Sequence, residues 1–177
     1  MFVSPLYQGV AATDVATVLA AWMSATPKPL TALLEDLTRT PVTIQVLASG
    51  ERPLTLREQH RLDAPDGTAC RWRHGLLIAD GEVAASTSLL WILGRLPAEA
   101  CRELDAGEKP AGAILRPLGM RRTDRRAMAT AGIEEVTGQD AAVMSSAVLT
   151  VRKVAAGIAE ETITRRFAEA LAGGTPL

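Results

Sequence analysis

Two short stretches carry the side chains best suited to chemistry. In the first, residues alternate around Arg73. Alternation puts Arg71, Arg73, Gly75, Leu77 and Ala79 on one side of a strand and Cys70, Trp72, His74, Leu76 and Ile78 on the other. The planar fork of an arginine matches a carboxylate, and Gly75 beside it is expected to leave space above the sheet for a ligand. The competing reading of Arg73 is a solvated arginine on a half-exposed sheet. In the second stretch, Glu160 and Glu161 are adjacent and so face opposite sides of a strand. One of them is a candidate general acid if burial raises its proton affinity. The alternative is that both are solvated or salt-bridged. His60 and His74 are the only histidines, and both fall on apolar strand faces, where packing is the expected role.

Other chemistries lack their motifs. The sequence holds no Walker A loop, G-x-G-x-x-G, H-E-x-x-H or G-x-S-x-G. Cys70 and Cys101 lie far apart with no C-x-x-C, which excludes a zinc ribbon or a redox pair. They are expected as free buried thiols, and no metal is expected. Lys plus Arg is 19 and Asp plus Glu is 20, a net charge of −1, which argues against a nucleic-acid partner. The aromatics are Phe2, Tyr7, Trp22, Trp72, Trp91 and Phe167, too few for a base-stacking platform. The first basic residue is Lys28, so no secretory signal is expected, and the apolar stretch Val83 to Leu93 is too short to span a bilayer. The expected location is the cytoplasm, with no membrane partner.

The elements that must position these residues follow from periodicity. Residues 1–177 are expected to form one domain, with helices in 1–38 and a sheet with a helical excursion in 41–172. Val15, Val18, Leu19, Trp22 and Met23 form one apolar face, which predicts a helix from Asp14 to Ser24. Pro27 and Pro29 stop it and start a second helix, Leu30 to Leu37. Val42 to Leu47 and Leu54 to Leu62 alternate, and with a turn at Ser49-Gly50-Glu51 they predict a hairpin. A strand from Cys70 to Ala79, a turn at Asp80-Gly81 and a return from Val83 to Leu90 predict another. Helices are expected from Pro97 to Gly107 and from Lys109 to Leu115. The basic run Arg116 to Arg126 reads as an edge strand or solvated loop, and Ile133 to Asp140 as a loop. Two strands, Ala147 to Val154 and Ile158 to Arg166, joined through Ala155-Ala156-Gly157, precede a short helix at Phe167 to Ala172. The pattern is α+β, with helices against a largely antiparallel sheet.

The order of these motifs resembles the chorismate pyruvate-lyase family. Trp72-Arg73-His74-Gly75-Leu76-Leu77-Ile78-Ala79-Asp80-Gly81-Glu82 looks like its central hairpin. Arg95-Leu96-Pro97 and Leu104 to Gly112 resemble its helix and proline-glycine segment. Gly157-Ile158-Ala159-Glu160 resembles its last strands, and Leu34 to Thr38 the segment bordering its pocket. The resemblance covers roughly Leu30 to Arg166 and implies a chorismate lyase-like fold.

It also implies a function. Arg73 would grip a substrate carboxylate, with Gly75, Ser88 and the backbone at Leu37 also contacting substrate. Glu160 would be the catalytic acid. The reaction would eliminate pyruvate from chorismate to give 4-hydroxybenzoate, a carbon–oxygen lyase step in biosynthesis that needs no cofactor. The family's second arginine is missing, because Ala85-Ser86-Thr87-Ser88-Leu89 holds none. Arg71 or an arginine from Arg121 to Arg126 would substitute, or Ser88 or Thr87 would donate a hydrogen bond instead. Two alternatives accompany this reading: a divergent enzyme of the same fold acting on another small acid, and a non-catalytic ligand-binding module. The related fold also serves as an effector-binding domain in bacterial regulators. The short, weakly basic stretch before Leu30 argues against a DNA-binding domain within this sequence.

Overall fold

The computed structural model describes residues 12–130 and 141–173. Its strands are β1 (Thr43–Pro53), β2 (Ala69–Ala79), β3 (Glu82–Trp91), β4 (Arg121–Ala129), β5 (Ala141–Val151) and β6 (Val154–Thr164). They form one sheet in the order β1-β2-β3-β6-β5-β4, and every neighbouring pair is antiparallel. The helices are α1 (Ala12–Ala25), α2 (Leu30–Thr38), α3 (Leu56–Leu62), α4 (Ala98–Ala106), α5 (Ala111–Leu115) and α6 (Arg165–Gly173). The α+β class and the antiparallel sheet both hold. The expected loop at Ile133 to Asp140 lies outside the described residues.

One face of the sheet is closed by helices. Val15, Leu19 and Met23 recur on one side of α1 and are fully buried. Each such burial stabilises by about 1.5–3 kcal/mol. With α2 and α6 they pack over Leu77, Ala85, Val143 and Ile163. Further along the same face, Leu104 of α4 and Ile114 and Leu115 of α5 pack over Leu89, Leu149 and Ala159. The opposite face stays open except where Leu62 of α3 and Leu54 just before the helix cover Trp72, Leu90, Val148 and Ile158. Cys70 and Cys101 are free and buried, and burial pushes both thiols up, away from thiolate chemistry.

Three local readings are corrected. Ser49-Gly50-Glu51 is not a turn, because β1 runs straight through to Pro53. Leu54 to Leu62 is not its returning strand. Thr55 accepts from the Glu58 backbone N–H, and the Glu58 carboxylate accepts from the Thr55 N–H. This capping box starts α3, and Asp63, at φ 47°, ends it. Arg95 then fastens α3 by donating to the carbonyls of Leu62 and Asp63. Finally, the β5–β6 turn is Arg152-Lys153, not Ala155-Ala156-Gly157. Both turn residues are left-handed, at φ 52° and 69°, with no glycine or asparagine to signal it.

Candidate functional site

Strand pairing decides which side chains share a face. Arg73 pairs with Leu89 and Leu89 with Ala159, all on the closed face. His74 pairs with Ser88 and Ser88 with Glu160, one residue on and therefore on the open face. Arg73 and Glu160 thus lie on opposite faces of the sheet.

On the closed face, a small cavity of about 30 Å³ lies between the sheet, the first turn of α2 and α5. Its polar lining is Thr31, Arg73, Thr87, Arg122 and Glu161. Glu161 pairs with Thr87 of β3 and Ser145 of β5 across the sheet. Its carboxylate meets the Arg122 guanidinium at 2.7 Å, with the two side chains 10% and 1% exposed. Ser145 Oγ donates to Glu161 at 3.2 Å and lies 3.3 Å from Arg122 Nη2. The backbone of Arg122 donates to Pro27, which ties β4 to the approach of α2. A Cβ on Gly112 would stand 2.2 Å from Thr31 Oγ1, so only glycine lets α5 approach α2 this closely.

The expected site residues divide between the faces. Arg73 is buried in the closed face, not solvated. Its Nη1 and Nη2 donate to the backbone carbonyls of Leu104 and Lys109, each at 3.0 Å. The fork expected to clamp a carboxylate therefore holds the end of α4. Burial lowers the Arg73 pKa to about 10. Gly75 does not open space for a ligand: a Cβ there would stand 2.7 Å from the Gln45 carbonyl, so the neighbouring strand occupies that space. Leu37 is buried in the α1–α2–α6 core, at the far end of α2 from the cavity. α2 borders the cavity with Leu30 and Thr31 instead.

Ser88 and Glu160 lie in a groove on the open face. Two adjoining hollows there, of about 520 and 530 Å³, share Arg57, Ser88 and Glu160. Ser88 Oγ is 3.0 Å from His74 Nδ1. His60 is exposed on α3 rather than packed. Glu160 is exposed, so the burial that a general acid would need is absent. Most of the groove's arginines are already bound: Arg52 to Glu58, and Arg61 and Arg126 to Asp124. Arg71 points to Glu51 and Asp105, outside both sites. Of the cavity's polar lining, Thr31 is the residue that sequence reasoning did not single out; Glu161 was one of two candidate acids, Arg122 stood only within the run Arg121 to Arg126, and Thr87 was an alternative donor. Parity left open which glutamate faces the cavity, and no local signal marked Thr31. Among the described residues, no group of three or more His, Cys, Asp or Glu could hold a metal ion.

No protein-family model and no curated protein sequence matches the chain. Solved structures do. The effector domain of PhnF from Mycobacterium smegmatis superimposes with a TM-score of 0.62 at 13% identity, covering 77% of this chain and 88% of that domain. The chain spans only 63% of the longer PhnF structure. A ligand-binding domain described as that of a GntR-family regulator from Bordetella bronchiseptica gives 0.53 at 12% identity, covering 69% and 83%. The chain has the fold of these effector domains. At such identities the likeness concerns the chorismate lyase-like fold alone.

The expectation of a carbon–oxygen lyase is thereby corrected. The similar structures named above are a transcriptional regulator and effector or ligand-binding domains of regulators, which do not support a lyase reading. The acid and the carboxylate anchor of the expected mechanism also stand on opposite sides of the sheet. The expected elimination of pyruvate from chorismate to give 4-hydroxybenzoate falls with it. Among the described residues, no helix is long and apolar enough to cross a membrane.

Proposed function

We propose that this chain is a non-catalytic module that binds a small molecule in the closed-face cavity. The observation that carries this reading is the convergence of Arg122, Glu161, Thr87 and Thr31 on a cavity inside an otherwise apolar interface. Burying such groups costs stability unless they are fully satisfied. A few convergent polar groups in a mostly apolar lining are the pattern of a ligand site. The fold shared with effector domains supports the same reading. A cytoplasmic location and the absence of a cofactor belong to this proposal. At about 30 Å³ the cavity takes one or two waters, so a ligand enters by displacing the first turn of α2 or α5.

The second reading places the ligand in the open-face groove, whose volume is of ligand size. Its charges, however, are mostly paired with one another. A thermal-shift screen of small metabolites separates the two. A ligand at 100 times its Kd stabilises by about 2.7 kcal/mol, or roughly 5–11 °C for a domain of this size. Thr87→Leu fills the closed-face cavity and should abolish the shift, whereas Ser88→Leu on the open face should leave it. The opposite pattern moves the site to the groove, and no shift with any compound removes the binding function.

A further inference from the structure

Building on the closed-face reading, we infer that the ligand presents a monoanionic carboxylate to Arg122. Arg122 is 2% exposed, yet its Nε and Nη1 have no hydrogen-bond partner in the protein. Only Nη2 is engaged, by Glu161 and near Ser145. Two kinds of free donor on one buried guanidinium are costly to leave unmade. Arg122 lines the cavity, so an acceptor placed there can complete them.

The sign and number of charges follow from the lining. The cavity is bordered by two guanidinium groups, Arg73 and Arg122, and one carboxylate, Glu161. One positive charge is left over. Asp105 favours the charged form of Arg73 from a distance, but it is bonded to Arg71. Arg73 Nε is also buried without a partner. The first turn of α2 adds to this field, because its N-cap Pro29 makes no side-chain cap bond and its dipole end is positive. A single negative charge neutralises the site. A dianion would overcompensate it beside Glu161. Near neutral pH inorganic phosphate is largely a dianion, so the same charge count favours a carboxylate over it.

The test uses the full chain and four probes at constant ionic strength: formate, its neutral isostere formamide, inorganic phosphate and chloride. Binding is read from the Arg122 Nε–H resonance and from the melting temperature. Formate should shift the resonance saturably, formamide and chloride should not, and phosphate should bind at least tenfold more weakly. Glu161→Gln leaves two positive charges against none and should tighten formate about tenfold. Arg122→Met should abolish formate binding. If that variant fails to fold, Arg122→Met/Glu161→Leu removes both charges and serves in its place. Equal response to formate and formamide, preference for phosphate, or formate binding that survives loss of Arg122 each overturn the inference. A neutral metabolite that binds at Thr87 while formate does not would overturn it and leave the binding module standing. No binding by any compound removes both.

Discussion

Removing one member of the Arg122–Glu161 pair should be among the most damaging single substitutions in the sheet. The two side chains meet at 2.7 Å and are 1% and 10% exposed. Arg122→Met leaves the Glu161 carboxylate buried with Ser145 as its remaining donor. Breaking a buried pair in this way costs about 3–5 kcal/mol, because the remaining charge has lost both water and partner. For a domain of this length that is roughly 6–20 °C in Tm. It is also a large share of the roughly 5–15 kcal/mol that holds a typical domain together. Arg122→Met/Glu161→Leu removes both charges and should recover most of the loss, since an apolar pair of similar volume is often neutral or better. Urea titrations followed by tryptophan fluorescence give both free energies, and an unchanged slope confirms that the unfolded state is comparable. A cost below about 1 kcal/mol for the single variant would show that water reaches the pair, and the low-dielectric argument would fail. A double variant no better than the single one would show that the loss is one of packing.

Three further outcomes are expected. Arg52 holds Glu58 well below the ordinary carboxylate range, at about 2 instead of 4.5. A depressed folded-state value means stability present above pH 4.5 and lost as pH falls towards 2, and partial exposure reduces it to about 1–2 kcal/mol. The wild type should therefore exceed Glu58→Gln at pH 7 and lose that advantage by pH 2 in parallel denaturation curves. Arg73→Met removes two donors from the carbonyls of Leu104 and Lys109. It should cost about 2–4 kcal/mol and speed amide exchange between residues 104 and 112, while slow exchange there would deny the anchoring role. Lys153→Gly relieves a left-handed residue at φ 69° in the β5–β6 turn. It should raise stability by about 0.5–1 kcal/mol, read as a higher urea midpoint.

Where local chemistry and burial agreed, the elements were legible. The apolar face from Val15 to Met23, the prolines before Leu30, the Asp80-Gly81 turn and the Pro97 start of α4 each appear where the pattern puts them. Leu54 to Leu62 misled because two signals competed. Leucines at 54, 56 and 62 fit a strand face, but Thr55 and Glu58 close a capping box, and that local bond pair sets the helix. Leu56 is 73% exposed, so it was never part of a buried face. The β5–β6 turn was invisible for a different reason. Arg152 and Lys153 adopt conformations that their side chains disfavour, and the cost is met by strand pairing on both sides.

The candidate site was legible to within one residue, and in a sheet one residue is the whole question. Side chains alternate, so Glu160 and Glu161 are separated by the thickness of the sheet even though their Cα atoms are neighbours. Nothing local to the pair tells which member faces the helices. That follows only from register: Ser88 opposite Glu160 and Thr87 opposite Glu161, with Gly75 next in the second row and His74 in the first. The register in turn depends on which face of β2 is covered. Trp72 and His74 looked like the core side by residue type, yet they are half-buried, and Arg73 is 2% exposed. An arginine reads as a surface residue until it has backbone carbonyls to bind, and the end of α4 supplies two of them. Once Arg73 is held on the helix side, parity carries Thr87, Glu161 and Ser145 with it, and Arg122 from β4 closes the row. The buried charge cluster is therefore a consequence of where α4 ends, at a carbonyl 31 residues along the chain from Arg73.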